Sequence, residues 1–439
     1  MDNMTDRHNV VGLYGDPAAV VADPRYLDVA RDEIGLNRII FGGSFNLSPE
    51  VRTLNPFPKD KALLAPGLNL TDDDTTLRRA IDEARKRDIQ VWVLTSAYWA
   101  GAEHAPALMA RDLTGRRMDE FPRLPYAHEQ ATHTFCPNNE QVNAWFEAAL
   151  VDIATRYDIQ GYALTHFRFC HPAFFQQMLA CGCPACEKAA AELGYDFPHM
   201  KAAVLEAVAA LQRLPARKLE QAASLGLGFV DLLQTLGKDG GGVADWFNFR
   251  ADCLSRNLRR FRVAVQRAVG QRDFAFGTDA HVPSFALLVG HRYRDLAATC
   301  DHILPLLRHI AIHYLDNLAS FASLLTQWAD GLSERDALRL VYRLFGYDRY
   351  NLPTDLASLH LDDPYGAAEQ GLEALGEIVA NELYKARLYS GDTVRSYPVI
   401  AGASWPSATV RRLMDVAREA GHDGIVFQGT SALFPYPKA

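Results

Sequence analysis

Three cysteines fall within six residues, Cys181-Gly-Cys183-Pro-Ala-Cys186, in a chain that holds seven cysteines in all. A C-x-C-x-x-C run keeps thiolates close enough to share one metal ion, and tetrahedral zinc then needs a single further ligand. The other cysteines are Cys136, Cys170, Cys253 and Cys300. Cys136, within His133-Thr-Phe-Cys136-Pro-Asn-Asn139, is the preferred fourth ligand, because its segment just precedes the helix that leads towards the cluster. Cys170 and His171 compete for that place. The pattern predicts a structural Zn2+ that pins a long loop. The alternative is a set of buried or reactive thiols with no metal.

A second group could move protons. Asp279 and His281 are two apart on a strand-like run and so project to one face. If that face is the interior of a barrel, they converge with His166 from a neighbouring strand. An aspartate beside an imidazole orients it and raises its basicity, which makes a proton-transfer unit near neutral pH. Asp279, His166 and His281 are therefore the catalytic candidates. The same three residue types also ligate catalytic metals, and they equally build plain hydrogen-bonded networks. Arg168, with its planar fork, suits a substrate carboxylate, sulfate or phosphate, or else a salt bridge that closes the barrel end.

These residues must be positioned by a fold, and the chain supplies one in its alternation. Short β-branched or aromatic runs at 10–15, 38–43, 90–98, 161–168, 274–281, 302–309, 397–404 and 424–429 alternate with long helical patterns. Eight such strands with intervening helices predict an α/β fold of the (β/α)8 TIM-barrel type, with the zinc loop after the fourth strand. An open doubly wound sheet is the competing architecture, but Leu13-Tyr-Gly-Asp16 lacks the glycine-rich phosphate loop of dinucleotide-binding folds. The whole of 1–439 reads as a single domain, enlarged by helical insertions at 187–241 and 313–391. The first ends at Asp239-Gly-Gly-Gly-Val243, which reads as a flexible joint. The insertions are expected to pack on the barrel wall, cover its mouth or build a homo-oligomer interface.

In such a barrel the active site lies at the C-terminal ends of the strands. Substrate-binding candidates there are Arg168, Asp16, Asn46, Tyr98, Trp99, Trp405 and Gln428, with His309 and Ser404 nearby. Aromatic faces suit sugar rings, while Arg and Asn suit hydroxyls or carboxylates. Glu382 and Asp392 flank the seventh strand and are carboxylates that could reach the mouth.

Composition bounds the partners. A formal charge of −8 with no basic run argues against nucleic acid. The polar start, Met1-Asp-Asn-Met-Thr-Asp-Arg-His8, lacks a charged-then-apolar signal pattern, and no apolar stretch is long enough to span a bilayer. Cysteine spacing of this kind fits a reducing compartment better than a disulfide framework, so a cytoplasmic location is expected, with no membrane partner.

The segment Phe135-Cys136-Pro-Asn-Asn-Glu-Gln-Val-Asn-Ala-Trp145, the run Gly161-Tyr-Ala-Leu-Thr-His166-Phe-Arg168 and the cysteine cluster together resemble glycoside hydrolase family 42 β-galactosidases. Trp246-Phe-Asn-Phe-Arg250 also looks like that clan. The resemblance implies a zinc bound by Cys136, Cys181, Cys183 and Cys186. A second stretch, Gly277-Thr-Asp279-Ala-His281-Val-Pro-Ser-Phe-Ala-Leu-Leu-Val-Gly290 with Asp301-His-Ile-Leu-Pro305, is similar to glycosidase-like barrels encoded in bacterial genomes. In the family an acid/base glutamate follows an asparagine at the end of the fourth strand, and a nucleophilic glutamate ends the seventh. Here those places read Leu164-Thr-His166-Phe-Arg168 and Ala401-Gly-Ala-Ser404-Trp405. The usual catalytic glutamates are thus missing, and retaining hydrolysis needs two carboxyl groups about 5 Å apart. The expectation is a carbohydrate-active enzyme that hydrolyses a glycosidic bond with a non-standard acid/base set, for instance Asp279 with Asp16. The alternatives are a sugar or uronate lyase, epimerase or isomerase using His, Asp and Arg, and a catalytically silent sugar-binding barrel.

Overall fold

Strand-forming runs of aliphatic and aromatic residues assemble into one nine-stranded parallel sheet in the computed structural model. It describes residues 10–61, 63–121, 128–129, 131–173, 175–363, 371–434 and 436, so the polar N-terminal segment lies outside the described residues. The strands are β1 (Val10–Gly15), β2 (Arg38–Phe41), β3 (Gln90–Ser96), β4 (Gly161–Thr165), β5 (Ala275–Ala280), β6 (His302–Pro305), β7 (Arg395–Ser396), β8 (Val399–Ala401) and β9 (Gly424–Gln428). Their order in space is β7-β6-β5-β4-β3-β2-β1-β9-β8, with every neighbouring pair parallel. All eight expected strand runs are in this sheet.

The seventh run is split in two. Tyr397-Pro398 separates β7 from β8, and proline has no N–H for the ladder. The first half pairs with β6 and the second with β9. Leu306 bridges to Val399 in parallel, and the Leu307 N–H donates to the Val399 carbonyl at 3.0 Å. The two margins of the curled sheet therefore meet across one stretch of chain, as in a barrel.

Alternation along the strands sorts the core into two parts. Ile40, Trp92, Ala163, Leu304, Val399 and Val426 belong to a small buried cluster of their own, which fills the concave side of the curled sheet. The opposite faces pack against helices in the main core, where the helix Thr75–Arg85 contributes Leu77, Ala80, Ile81 and Ala84 at helical spacing. Gly277 on β5 marks a close approach inside the sheet: a Cβ there would stand 2.3 Å from the His302 carbonyl oxygen.

Both insertions are helical where described. The first holds the helices Phe197–Gln212, Ala216–Ser224 and Phe229–Leu236. Its glycine run is not a flexible joint. Gly240 to Gly242 form the first turn of a 30-residue helix, Gly240–Val269, and Asp239 caps it by accepting the Gly242 N–H at 3.1 Å. Close packing, not mobility, accounts for the glycine at 242, since an added Cβ would lie 2.7 Å from the Ala203 methyl. The second insertion comprises a π-helical turn Ala311–Leu315 and the helices Asp316–Trp328, Glu334–Leu344 and Leu375–Ser390. Among the described residues no helix is long and apolar enough to cross a membrane.

Candidate active site and cysteine cluster

The C-terminal ends of β3, β4 and β5 converge on His166. Its Nδ1 lies 3.1 Å from the Ser96 hydroxyl and 3.3 Å from that of Thr165, and its ring stacks on Trp99 at 4.7 Å. Asp279 reaches across from β5: its Oδ2 accepts the Thr165 hydroxyl at 2.5 Å and the His166 backbone N–H at 3.3 Å. His166 is held there at φ 52°, a left-handed conformation unusual for a residue with a side chain. A cavity of about 380 Å³ opens beside this point, lined in part by Gly42, Leu94, Ser96, Glu103 and Thr165. That volume is within the range of small-ligand sites.

The carboxylate that faces His166 was not among the sequence candidates. Glu129, on the long segment between β3 and the helix Glu140–Arg156, forms an ion pair with Arg168 and lies 3.7 Å from His166 Nε2. Burial works to raise its pKa, but Arg168 and then the histidines outweigh it and hold the Glu129 carboxyl well below the usual range. Its neighbour His128 donates through its backbone N–H and contacts through Nδ1 a single oxygen of Asp316, at 3.1 and 2.8 Å. Asp316 is fully buried, and burial pushes its pKa up to about 6 against the opposing bond from His128. The hydrogen bond to Asp316 in turn raises His128. Tyr14 at the end of β1 is pushed up to about 12 by burial, with the Arg308 guanidinium 5.0 Å from its ring opposing that rise.

The other sequence candidates are distributed differently. His281 does not join Asp279 and His166. β5 ends at Ala280, and His281 turns instead towards His171 and His313, with ring centroids at 5.6 and 5.2 Å. Arg168 is 5% exposed and engaged by Glu129. Tyr98 is fully buried, donating to Asn143 at 2.9 Å and accepting from Asn257 at 3.2 Å, so it braces the loop behind the site. Trp405 is 2% exposed and packs in the core. Asp16 caps the short helix Pro17–Ala22, and Asn46 is tied to Asp72 and Arg52. Gln428 ends β9 with its Oε1 buried and unpartnered. Glu382 is buried among Ser284, Tyr347 and Lys385, while Asp392 is 91% exposed beside Arg387. Of the sequence-chosen set, His166, Trp99, Arg168 and Asp279 lie together.

Cys136, Cys181, Cys183 and Cys186 form one buried cluster whose sulfurs all lie within 4.8 Å of one another. Cys136 Sγ stands 3.5 Å from that of Cys186 and 3.4 Å from that of Cys183, and Cys183 to Cys186 is 3.9 Å. A tetrahedron with Zn–S bonds of about 2.3 Å has edges of about 3.8 Å, so the spacing fits such an ion. Cys136 completes the group; Cys170 lies against Met118 and His171 belongs to the histidine group. Hydrogen bonding with Cys181 pushes the Cys136 thiol well up and burial does the same to Cys186, while Cys183, bonded first to Cys136, is pulled down. Backbone N–H groups of Arg111 and Asn138 point at Cys181 and Cys136 at 3.3 and 3.4 Å, the donors a thiolate set requires. The donor set suits a borderline-soft dication.

No family model matches the chain, and no curated protein matches it. Among solved structures, the glycoside hydrolase domain of PgaB (BpsB) from Bordetella bronchiseptica is similar with a TM-score of 0.51 at 9% identity, covering 97% of this chain and 95% of that one. The β-galactosidase from Bacillus circulans sp. alkalophilus gives a TM-score of 0.51 at 14% identity, covering 97% of this chain but 51% of that one, so the chain spans about half of that enzyme. Both are glycoside hydrolases, and the likeness is one of fold: an α/β architecture around a curled parallel sheet.

Proposed function

We propose that the chain is a complete (β/α)8 barrel and a carbohydrate-active enzyme that hydrolyses a glycosidic bond with a non-standard acid/base set. The observation that carries this reading is geometric: the adjacent residues His128 and Glu129 bring two carboxyl groups beside the ends of the strands, Glu129 against Arg168 and His166, and Asp316 against His128. Arg168 and the histidines hold the Glu129 carboxyl low, while burial pushes Asp316 up to about 6 and its hydrogen bond raises His128, which carries the proton of that pair. Environments that push two carboxyl groups apart are how one site supplies both an acid and a base. Glu129 then serves as nucleophile or base, and the His128–Asp316 pair donates the proton to the leaving oxygen. Asp279 is a positioning residue that fixes His166, and Trp99 with His166 forms one wall of the sugar cleft.

Asp16 has no part in this set, since it is an exposed helix cap. The lyase and isomerase readings needed Arg168 free to hold a substrate carboxylate, and its engagement by Glu129 weighs against them. The four cysteines are read as a structural Zn2+ site that ties the segment after β3 to the one after β4 and takes no chemical step. Seven buried free cysteines accord with a reducing, cytoplasmic setting. The test is release of reducing sugar from a panel of aryl glycosides, with Glu129→Gln as control. Turnover undiminished in that variant defeats the assignment.

A further inference from the structure

Apart from the cysteines, one other group among the described residues has metal-ligand geometry. His171 follows β4, His281 follows β5 directly, and His313 lies on the π-helical turn Ala311–Leu315 after β6. One ring nitrogen from each lies within 4.8 Å of the other two, and all three residues are at least 97% buried, at 3%, 0% and 3% exposure. Three ligands thus come from three consecutive strand ends, where barrel enzymes place their chemistry. A π-helical turn in such a place is itself frequent at functional sites.

The ring nitrogens are what a ligand would answer. His171 Nε2, both nitrogens of His281, and His313 Nδ1 are buried and make no hydrogen bond. Leaving a buried polar atom unsatisfied is costly, and here several face one another across a gap too wide for direct bonds. Burial keeps all three imidazoles neutral, the form that ligates, with His171 held down to about pKa 3. The Arg168 guanidinium, whose charge disfavours a cation here, is paired with Glu129.

We propose that His171, His281 and His313 bind a first-row transition-metal dication such as zinc, through one nitrogen each, in a site distinct from the four cysteines. A tetrahedral ion with metal–nitrogen bonds of about 2.1 Å needs nitrogens about 3.4 Å apart, so each ring moves by roughly 1 Å or less. One rearrangement is required. His171 Nδ1 accepts the Ala173 N–H at 3.3 Å, and ligation through Nε2 moves the ring proton to Nδ1 and breaks that long bond. Three protein ligands leave a fourth position for water or a substrate oxygen, the pattern of catalytic rather than structural zinc. This inference does not depend on the hydrolase reading.

The experiment uses the full chain with its thiolate site already filled with zinc. Added Co2+ is expected to bind as a further equivalent, with weak visible ligand-field bands and no near-ultraviolet thiolate-to-cobalt band. His281→Ala and His313→Gln lose that equivalent and keep the sulfur-bound one, while Cys186→Ser does the reverse. Because a core variant can fail to fold, Cu2+ is also bound to the unaltered protein and its electron paramagnetic resonance read for nitrogen couplings. No uptake beyond the sulfur site, nitrogen couplings absent from bound copper, or cobalt binding unchanged in folded His281→Ala overturns the proposal; in the first case the gap holds water alone.

Discussion

Asp279 on β5 accepts the Thr165 hydroxyl at the end of β4, 2.5 Å away, and the same oxygen receives the backbone N–H of His166 at 3.3 Å. One carboxylate thereby fastens two adjacent strand ends and stabilises the left-handed turn that presents the imidazole. Asp279→Ala removes the one oxygen that accepts both bonds and leaves the Thr165 hydroxyl and the His166 N–H without it. Thermal unfolding should show a loss of about 1–3 kcal/mol, and turnover should fall at least tenfold with a smaller change in KM, because His166 loses its orientation. A variant that melts normally and turns over normally would remove Asp279 from the site's architecture.

Glu129→Gln keeps the shape of the side chain and an acceptor for Arg168 but removes the charge. If Glu129 carries the reaction, turnover drops by about 10²–10⁴-fold with substrate binding largely kept. Arg168→Lys should fall in the same direction by less, since an ammonium keeps the charge without the fork. Equal activity in all three proteins would mean that the pair is a structural clasp.

Acid should destabilise the protein well before its surface carboxylates are neutralised. His291 donates through Nε2 to the Phe167 carbonyl and accepts the His281 N–H at Nδ1, and His422 is bonded to Ser396 and the Leu383 carbonyl. Burial holds each down to about pKa 4. Their folded values lie below the unfolded value of about 6.5, so between those limits the unfolded chain binds more protons and stability falls as pH falls. By pH 5 each contributes a loss of about 1–2 kcal/mol. Glu129, held low, acts in the same direction further down, while Asp316 and His128, both raised, oppose it. Urea unfolding at pH 8 and pH 5 checks the sign; equal midpoints contradict it.

Removing the ion that fits the cysteine cluster should loosen the segments on either side of it. Cys186→Ser is expected to lower the zinc content by one equivalent per chain and to speed amide exchange in 108–118 and 170–186. Elemental analysis of the unaltered protein below about half an equivalent would count against the site.

Gly242→Ala tests the corrected account of the glycine run. Helix propensity alone would favour alanine by about 1 kcal/mol. The methyl, however, meets Ala203 at 2.7 Å, and overpacking of that kind costs about 1–3 kcal/mol. The expected result is a lower Tm; a higher one would restore the flexible-joint reading.

The strands were legible because each is a short run bounded by turn residues, and the cysteine cluster because its spacing constrains geometry whatever the fold. Glu129 was not legible. It is delivered by a segment of more than thirty residues between β3 and the helix Glu140–Arg156, and no periodicity states where such a segment folds back. Its length at a strand's C-terminal end was the one available signal. Tyr98 and Trp405 follow strand ends as expected but point into the packing behind the mouth, a choice set by tertiary neighbours. His281 went elsewhere because β5 stops at Ala280, one residue short of the alternation that would have paired it with Asp279.

The split strand has a consequence for biosynthesis. β1 pairs with β9 and β6 meets β8 at Leu306–Val399, so the first strand of the sheet waits for β9, more than 400 residues later, to emerge. Until β7, β8 and β9 (395–428) leave the ribosome, β1 and β6 both expose unpaired edges, the surfaces through which nascent sheets aggregate. Expression of this chain should accordingly respond more to slowed translation and chaperone supply than its folded stability would suggest.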